Sequence, residues 1–205
     1  MKPEIIETSL QQFLTHGIRK MTVKEIIAPL GISTKTVYKY FANKEALLEE
    51  CLVLHYSRLH SGLADTAVQY SNPVILLFQA FIKGIELDFK VNDVFYHDLN
   101  YYYPELQDKI IQQNSAKLGG PLIKAFNDGI AEGYIRANLS AEVFFEGIGV
   151  LYSSLTRTSR FHKFGLSPFE LAVNTMEVYL RGLCTQKGLK EIDDNPKLTS
   201  FNYKP

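Results

Sequence analysis

The most informative run of the chain extends from Thr22 to Leu48 and reads T-V-K-E-I-I-A-P-L-G-I-S-T-K-T-V-Y-K-Y-F-A-N-K-E-A-L-L. Glu25 follows Thr22 by three positions, which is the pattern of a capping box at the start of a short helix. Gly31 ends that helix, and a second short helix begins after the turn. Two short helices joined by a tight glycine turn predict a helix-turn-helix.

The second short helix, capped by Ser33 or Thr34, has two chemically different sides. At 100° per residue, Val37 and Phe41 fall on the same side as Thr34, which we expect to face the preceding helices. The outward side carries Lys35, Thr36 and Lys39, with Tyr38 at its edge and Tyr40 beside the buried side.

Lysine, threonine and tyrosine on one helix face suit the major groove of DNA. Lysine pairs with phosphate or guanine, threonine bonds a base edge or contacts a thymine methyl, and tyrosine reaches phosphate or packs on thymine. Lys44 opens the next helix, where backbone N–H groups also attract a phosphate. The alternative is that these residues form the solvated face of an ordinary helical bundle. The candidate DNA-binding residues are Thr22, Lys24, Ser33, Thr34, Lys35, Thr36, Tyr38, Lys39, Tyr40 and Lys44.

Charge is concentrated in the same region. Between Arg19 and Lys44 there are six basic residues and one acid, Glu25, which gives +5 in a chain whose net charge is zero. The other 179 residues therefore sum to −5. A uniformly basic coat for nucleic acid is excluded, whereas a local basic patch is predicted.

Helical spacing continues on both sides of this region, and strand alternation is nearly absent. An apolar stripe after Pro3 predicts a first helix that ends at Gly17, and Asn43 caps a long helix from Lys44 to about Gln69. Further helices are predicted after Pro73, around 93–102, after Pro104, after Ser140 and after Pro168, with a kink or break at Gly119-Gly120-Pro121.

The predicted fold is all-α, with an N-terminal three-helix head that contains the helix-turn-helix and a C-terminal helical bundle. We call residues 1–48 the head and assign DNA binding to it. Residues 49–190 form the predicted C-terminal bundle. Residues 191–205 have few periodic apolar positions and are predicted to be a loose tail.

Composition excludes several other classes. Apolar residues make up 46% and charged residues 21%, which is ordinary globular usage. Cys51 and Cys184 lie 133 positions apart, so neither a disulfide framework nor a cysteine zinc site is indicated. No apolar run reaches 18 residues, and the acidic start M-K-P-E-I-I-E does not resemble a signal peptide. We expect a cytoplasmic protein with no membrane partner.

The run 22–48 resembles the DNA-binding signature of the tetracycline-repressor (TetR) family. The most specific element is Tyr38-x-Tyr40-Phe41-x-x-Lys44-x-x-Leu47, and F-x-x-x-G from Phe13 to Gly17 also matches. Further on, D-G-I-A-E-G-Y-I-R from Asp128 to Arg136 resembles the joint between the family's seventh and eighth helices. Two features depart from the pattern: Pro29 lies inside the first motif helix, and the arm before Ile5 is very short.

The resemblance implies a transcriptional regulator, usually a repressor, that binds a double-stranded operator as a homodimer. It also implies that the all-helical C-terminal domain, residues 49–190, binds a small ligand and dimerises, with operator affinity lowered when the ligand is bound. It implies no cofactor, metal or catalytic residue.

An aromatic cluster supports a ligand pocket. Positions 89–103 hold six aromatic residues, namely Phe89, Phe95, Tyr96, Tyr101, Tyr102 and Tyr103. Such side chains between helices suit a small apolar or aromatic ligand, and simple core packing is the equal alternative. The candidate ligand-binding residues are Tyr56, His60, Phe78, Phe81, Ile82, Phe95, Tyr96, Tyr102 and Phe126.

Two apolar stripes near the C-terminus are candidate dimer helices, although they could equally belong to the intramolecular core. One contains Phe144, Phe145, Ile148, Leu151, Tyr152 and Leu155. The other contains Met176, Tyr179, Leu180 and Leu183.

Other chemistries find little support in the sequence. Cys51 and His55 share a helix face without a third convergent group, and Gly119-Gly120 lacks the spacing of a phosphate loop. The main rival hypothesis is a helical ligand-binding or scaffold protein whose DNA-reading head does not function. Activation in place of repression is a smaller alternative.

Overall fold

The computed structural model describes residues 1–88, 90–156 and 158–195. These residues form helices and connecting turns, with one isolated antiparallel bridge between Ile135 and Cys184. The predicted all-α fold is confirmed. The α-helices are α1 (Lys2–His16), α2 (Val23–Ile26), α3 (Thr34–Val37), α4 (Lys44–Gln69), α5 (Pro73–Asp88), α6 (Asp93–Tyr102), α7 (Pro104–Ala131), α8 (Ala141–Thr156), α9 (Pro168–Ala172), α10 (Val178–Leu183) and α11 (Gln186–Asp193).

The local signals in the head produce the predicted helix ends. Both hydrogen bonds of the capping box are present at α2, one from the Glu25 backbone N–H to the Thr22 hydroxyl and one from the Thr22 backbone N–H to the Glu25 carboxylate. Gly31 adopts the left-handed conformation with φ 62°, which turns the chain between the two short helices. The Ser33 hydroxyl accepts the Thr36 N–H and caps α3.

Both motif helices are shorter than their hydrophobic pattern suggests. Pro29 lies in a 3₁₀ turn, Ala28–Leu30, that follows α2, since proline cannot donate the hydrogen bond that would continue the α-helix. The regular part of α3 ends at Val37, and a turn continues to Phe41, whose N–H still bonds the Val37 carbonyl.

Two other expectations differ from the structure. Of the kink or break predicted at Gly119-Gly120-Pro121, the break is wrong, because α7 runs without interruption from Pro104 to Ala131 with Pro121 inside it, and the kink stays a prediction. The loose tail was predicted from 191, but α11 continues to Asp193 because Ile192 is fully buried in the core. The positions from 196 onward lie outside the described residues.

The chain forms two compact units that are not contiguous in sequence. The first unit comprises Met1–His60 and Val91–Ala116, and the second comprises Ser61–Lys90 and Lys117–Pro205. The first unit therefore includes α6 and part of α7 beside the head, and the functional division at residues 48 and 190 stays a prediction. Its core contains Leu10 and Phe13 of the first-helix stripe together with Ile5, each at most 1% exposed.

The core of the second unit is built from α5, α7, α8 and the last helices. Ile148 and Leu155 of α8 are buried there, as are Met176, Leu180 and Leu183. The central residues of both stripes proposed for dimerisation thus belong to the chain's own core, which is the alternative that the sequence left open. No helix within the described residues is long and apolar enough to span a membrane.

Candidate DNA-binding site

The two sides of α3 and the turn after it are as different as the sequence predicts. Val37 is 1% exposed and Phe41 3%, so this side packs into the head. On the other side Lys35 and Lys39 are exposed, and Tyr38 retains 52% of its accessible surface. The structure thus presents two ammonium groups and a phenol side by side on one short helical segment.

The polar residues around these lysines differ in solvent exposure and in the hydrogen bonds that they already make within the head. Lys24 on α2 is exposed, as is Tyr40 after α3. Thr34 and Thr36 are half-buried, and the Thr36 hydroxyl lies 3.1 Å from the Ser33 hydroxyl. Ser33 and Thr36 therefore stabilise the start of α3 and have less capacity for base contacts than the exposed lysines.

Thr22 uses its backbone and side-chain hydrogen bonds to cap the start of α2. Its hydroxyl donates to the Glu25 carboxylate at 2.7 Å, and its backbone N–H donates to the same oxygen at 2.7 Å. These hydrogen bonds to the Thr22 backbone and side chain hold the pKa of Glu25 below its ordinary value. Thr22 thereby sets where α2 begins.

Lys44 has a different environment from the one that the sequence suggested. Its Nζ donates to the Ile18 carbonyl at 2.5 Å and to the Met21 carbonyl at 2.6 Å. Burial lowers the pKa of this ammonium, and the negative charges of Asp98 and Glu25 raise it in part. Two of its three N–H donors are thus used inside the head, so at most one remains for the predicted phosphate contact.

The turn between α1 and α2 adds residues that the candidate list omitted. Arg19 and Lys20 are exposed there, and the Arg19 guanidinium lies 4.2 Å from the centre of the Tyr102 ring. Asp98, 79 positions after Arg19, accepts the Arg19 backbone N–H at 2.7 Å. The basic charge of the turn was visible in the sequence, but no local signal linked it to Asp98.

The candidate ligand-binding residues are divided between the two units. In the first unit, Tyr56, Phe95 and Tyr96 are at most 4% exposed, and the Phe95 and Tyr96 rings meet edge to face at 5.2 Å. His60 is half-buried, and Tyr102 is 40% exposed beneath Arg19. The buried aromatics of this group pack as core, which the sequence weighed as the equal alternative.

In the second unit the aromatic candidates also pack as core. Phe78 and Phe126 are at most 2% exposed, and Phe81 stacks on Phe145 with ring centres 6.4 Å apart. Phe89 of the aromatic cluster lies outside the described residues. Ile82 differs from the other candidates of this unit in that it lines a solvent-open cleft.

That cavity is a cleft of about 300 Å³ between α4 and α5. Its lining is mainly polar and is open to solvent, in contrast to the enclosed aromatic pocket that the sequence suggested. The lining residues are Gly62, Asp65, Thr66, Gln69, Tyr70, Gln79, Ile82, Lys83 and Glu86.

Comparison with known proteins agrees with the geometry of the head. Residues 5–51 match the family model described as bacterial regulatory proteins, tetR family. The chain is a TetR-family transcriptional regulator. It is a DNA-binding transcriptional repressor, as are by name the curated relatives that match most of its length, which belong to a family of non-enzymatic regulators.

Two curated relatives resemble the regulator over most of its length. The transcriptional repressor KstR2 of Mycobacterium tuberculosis is 24% identical over 148 residues, which cover 71% of this chain and 74% of that protein. The probable acrEF/envCD operon repressor of Escherichia coli K12 is 21% identical over 187 residues, which cover 88% of this chain and 85% of that protein.

A solved structure shows the same fold. The transcriptional regulator FadR of Bacillus subtilis, solved in complex with stearoyl-CoA, superposes with a TM-score of 0.72 at 18% identity. The match covers 89% of this chain and 100% of that one.

Proposed function

We propose that this regulator docks α3 and the following turn in the major groove of a near-palindromic operator. The supporting observation is that Lys35, Tyr38 and Lys39 are exposed together while Val37 and Phe41 anchor the same segment in the head. We assign base contacts to Lys35 and phosphate contacts to Lys39 and Lys24. Thr22, Ser33 and Thr36 serve mainly to fix the helix starts, and Lys44 supports the head from inside.

A gel-shift series with an operator obtained by binding-site selection tests this assignment. Loss of a phosphate contact weakens binding to all sequences and lowers the salt slope by about 0.9 per charge. Lys39→Ala is expected to behave in that way. Lys35→Ala is expected to change the selected bases, because a good base contact discriminates by about 1–3 kcal/mol.

Lys190→Ala is the matched control, since Lys190 is an exposed lysine on α11, far along the chain from the head. It should leave affinity, salt slope and consensus unchanged. If Lys35→Ala selected the wild-type consensus and Lys39→Ala kept the wild-type salt slope, the docking of α3 would be contradicted.

We further propose that two copies associate through the outer faces of α8 and α10. Val143 and Val150 of α8 are 73% and 64% exposed, and Val178 of α10 is 63% exposed. Positions 143 and 150 are two helical turns apart, so both side chains lie on one face. Exposed valines on neighbouring helices of one core provide the apolar surface that a two-fold interface requires.

Sedimentation of a Val150→Asp variant tests the dimer. The wild type is expected to sediment as a dimer and the variant as a monomer with unchanged helical content, because the aspartate would be buried only in the assembly. A wild-type monomer at micromolar concentration would contradict the proposal, as would a variant dimer of undiminished affinity.

Finally, we propose that a small ligand binds the C-terminal part of the regulator and lowers its affinity for the operator. The cleft between α4 and α5 supports such a site, and FadR, which has the same fold, was solved in complex with stearoyl-CoA. Stearoyl-CoA is therefore the first probe to add to a preformed operator complex. Release of DNA by the wild type, reduced in a Lys83→Ala variant, is the expected result. Failure of acyl-CoA probes and of a metabolite panel to release DNA would contradict ligand control.

A further inference from the structure

The turn between α1 and α2 is held by a buried carboxylate from α6. Ile18 and Arg19 donate their backbone N–H groups to Oδ2 of Asp98 at 2.8 and 2.7 Å. Asp98 is only 5% exposed, although it carries a charged group. A buried carboxylate that accepts two N–H bonds is strongly constrained in position, because losing either bond leaves a polar group without a partner.

The start of α6 is fixed to the end of α1 by a second set of hydrogen bonds. The Asn92 backbone N–H donates to the Leu14 carbonyl at 2.9 Å, and its side-chain amide donates to the Thr15 carbonyl at 3.0 Å. The same Asn92 side chain accepts the Val94 N–H and caps α6. Asn92 thus links the last turn of α1 to the start of α6.

The close approach of these elements depends on Gly17. Its φ of 83° with ψ of 176° lies in a region that side-chain-bearing residues rarely adopt. A Cβ atom at this position would lie 2.6 Å from Cγ1 of Val94 and 3.1 Å from Oδ2 of Asp98. Only glycine leaves room for α6 to reach the turn.

Lys44 holds the opposite side of the same peptide segment. Its ammonium bonds the Ile18 carbonyl, while Asp98 bonds the Ile18 N–H. Hydrogen bonds with the Asp98 carboxylate of α6 and with the Lys44 ammonium of α4 therefore fix the turn from two sides. The turn continues directly to Thr22, the N-cap of α2. The positions of α2 and α3 are tied to α6 through this turn.

We propose that Asp98 is a positioning residue for operator binding, which sets the orientation of α2 and α3 through the α1–α2 turn without touching DNA. The inference rests on the proposed docking of α3 on the operator. It adds that α6 supports the DNA-binding helices through this turn, so that a displacement of α6 would change the orientation of α3.

The physical expectation separates specific from non-specific binding. Non-specific affinity depends on charge near the phosphates and tolerates a changed helix orientation, whereas base contacts do not. Misplacing α3 should therefore lower operator affinity and leave affinity for random DNA unchanged. Partial unfolding would instead lower both affinities by the same factor.

The experiment compares Asp98→Ala and Asp98→Asn with wild type on the selected operator and on random duplex DNA. Asparagine keeps an acceptor oxygen without the charge, so it should retain part of the function. Asp108→Ala is the control, because Asp108 is an exposed carboxylate of α7 in the same compact unit. All measurements are made at a temperature where circular dichroism shows each variant folded.

We expect Asp98→Ala to lose about tenfold or more in operator affinity, Asp98→Asn to lie between it and wild type, and Asp108→Ala to match wild type. Random-DNA affinity and its salt slope should stay constant throughout. Amide hydrogen exchange at Ile18 and Arg19 should accelerate in the same order.

Wild-type operator affinity in a folded Asp98→Ala protein would overturn the inference, as would equal losses on operator and random DNA. If the alanine variant does not fold, the asparagine variant decides: a loss of at least threefold on the operator alone supports the inference, and unchanged affinity overturns it. Failure of the wild type to select any sequence would overturn the proposed operator binding itself, which is a distinguishable result.

Discussion

Replacing Lys44 by methionine removes the ammonium group and keeps a long unbranched side chain in its place. The substitution deletes two hydrogen bonds to backbone carbonyls, those of Ile18 and Met21. A hydrogen bond to a charged group contributes about 1.5–3 kcal/mol, and we take about 1 kcal/mol for each because Lys44 is only half-buried. The expected loss of stability is about 2 kcal/mol, which lowers the melting temperature of a chain of this size by about 4–8 °C.

Thermal melts followed by circular dichroism at equal protein concentration measure this loss. Lys39→Met is the control, since Lys39 is an exposed lysine of the same head and its loss should change stability by less than about 0.5 kcal/mol. Salt titrations on the operator provide the second readout. Lys39→Met should flatten the salt slope by about 0.9, and Lys44→Met should flatten it less.

The reasoning would be refuted by the opposite pattern. In that pattern, Lys44→Met would melt within about 2 °C of wild type and would flatten the salt slope by a full phosphate contact. Lys44 would then be a phosphate-binding residue and not a support of the head.

Three further predictions concern the rest of the chain. The pKa of Glu25 is lowered from its usual 4.5, so its stabilising effect is present above that pH and is lost as the pH falls through the lowered value. The melting temperatures of Glu25→Gln and wild type should differ at pH 7 and converge as the pH falls well below 4.5. Gly188→Ala should destabilise the protein by about 1–3 kcal/mol in urea unfolding, because the new Cβ would lie 2.2 Å from the Tyr134 carbonyl oxygen. Burial raises the thiol pKa of Cys51 and raises that of Cys184 to about 11, so neither should react with a disulfide reagent at pH 8 until urea unfolds the chain, and rapid labelling of the native protein would contradict this.

The sequence predicted the head in detail because its signals are local. The Thr22–Glu25 capping box, the turn at Gly31 and the burial of Val37 each depend on residues within a few positions of one another, and the structure confirms all three. The family resemblance rests on the same local run.

The sequence is less informative where distant residues decide the outcome. Lys44 has the spacing of a phosphate contact, but two of its three N–H groups donate to carbonyls of a turn more than 20 positions earlier. A kink or break was predicted at Gly119-Gly120-Pro121, yet the helix continues through Pro121 for a total of 28 residues. Helical periodicity identifies an apolar face but does not show what packs against it. The sequence alone therefore could not decide whether Phe126 lines a ligand pocket or Ile148 a dimer interface, or whether both belong to the core.

The first unit is made of two segments that are separated in sequence, 1–60 and 91–116, which limits how the regulator can be divided and recombined. During synthesis the head emerges long before α6, so the carboxylate that holds its α1–α2 turn exists only after Asp98 has been added. A chimera that exchanges only residues 1–48 would transplant the reading helix and leave behind the carboxylate that orients it. Exchange of DNA specificity between such proteins therefore requires that the segment 91–116 travel with the head or that the recipient already offers an acceptor at the same place.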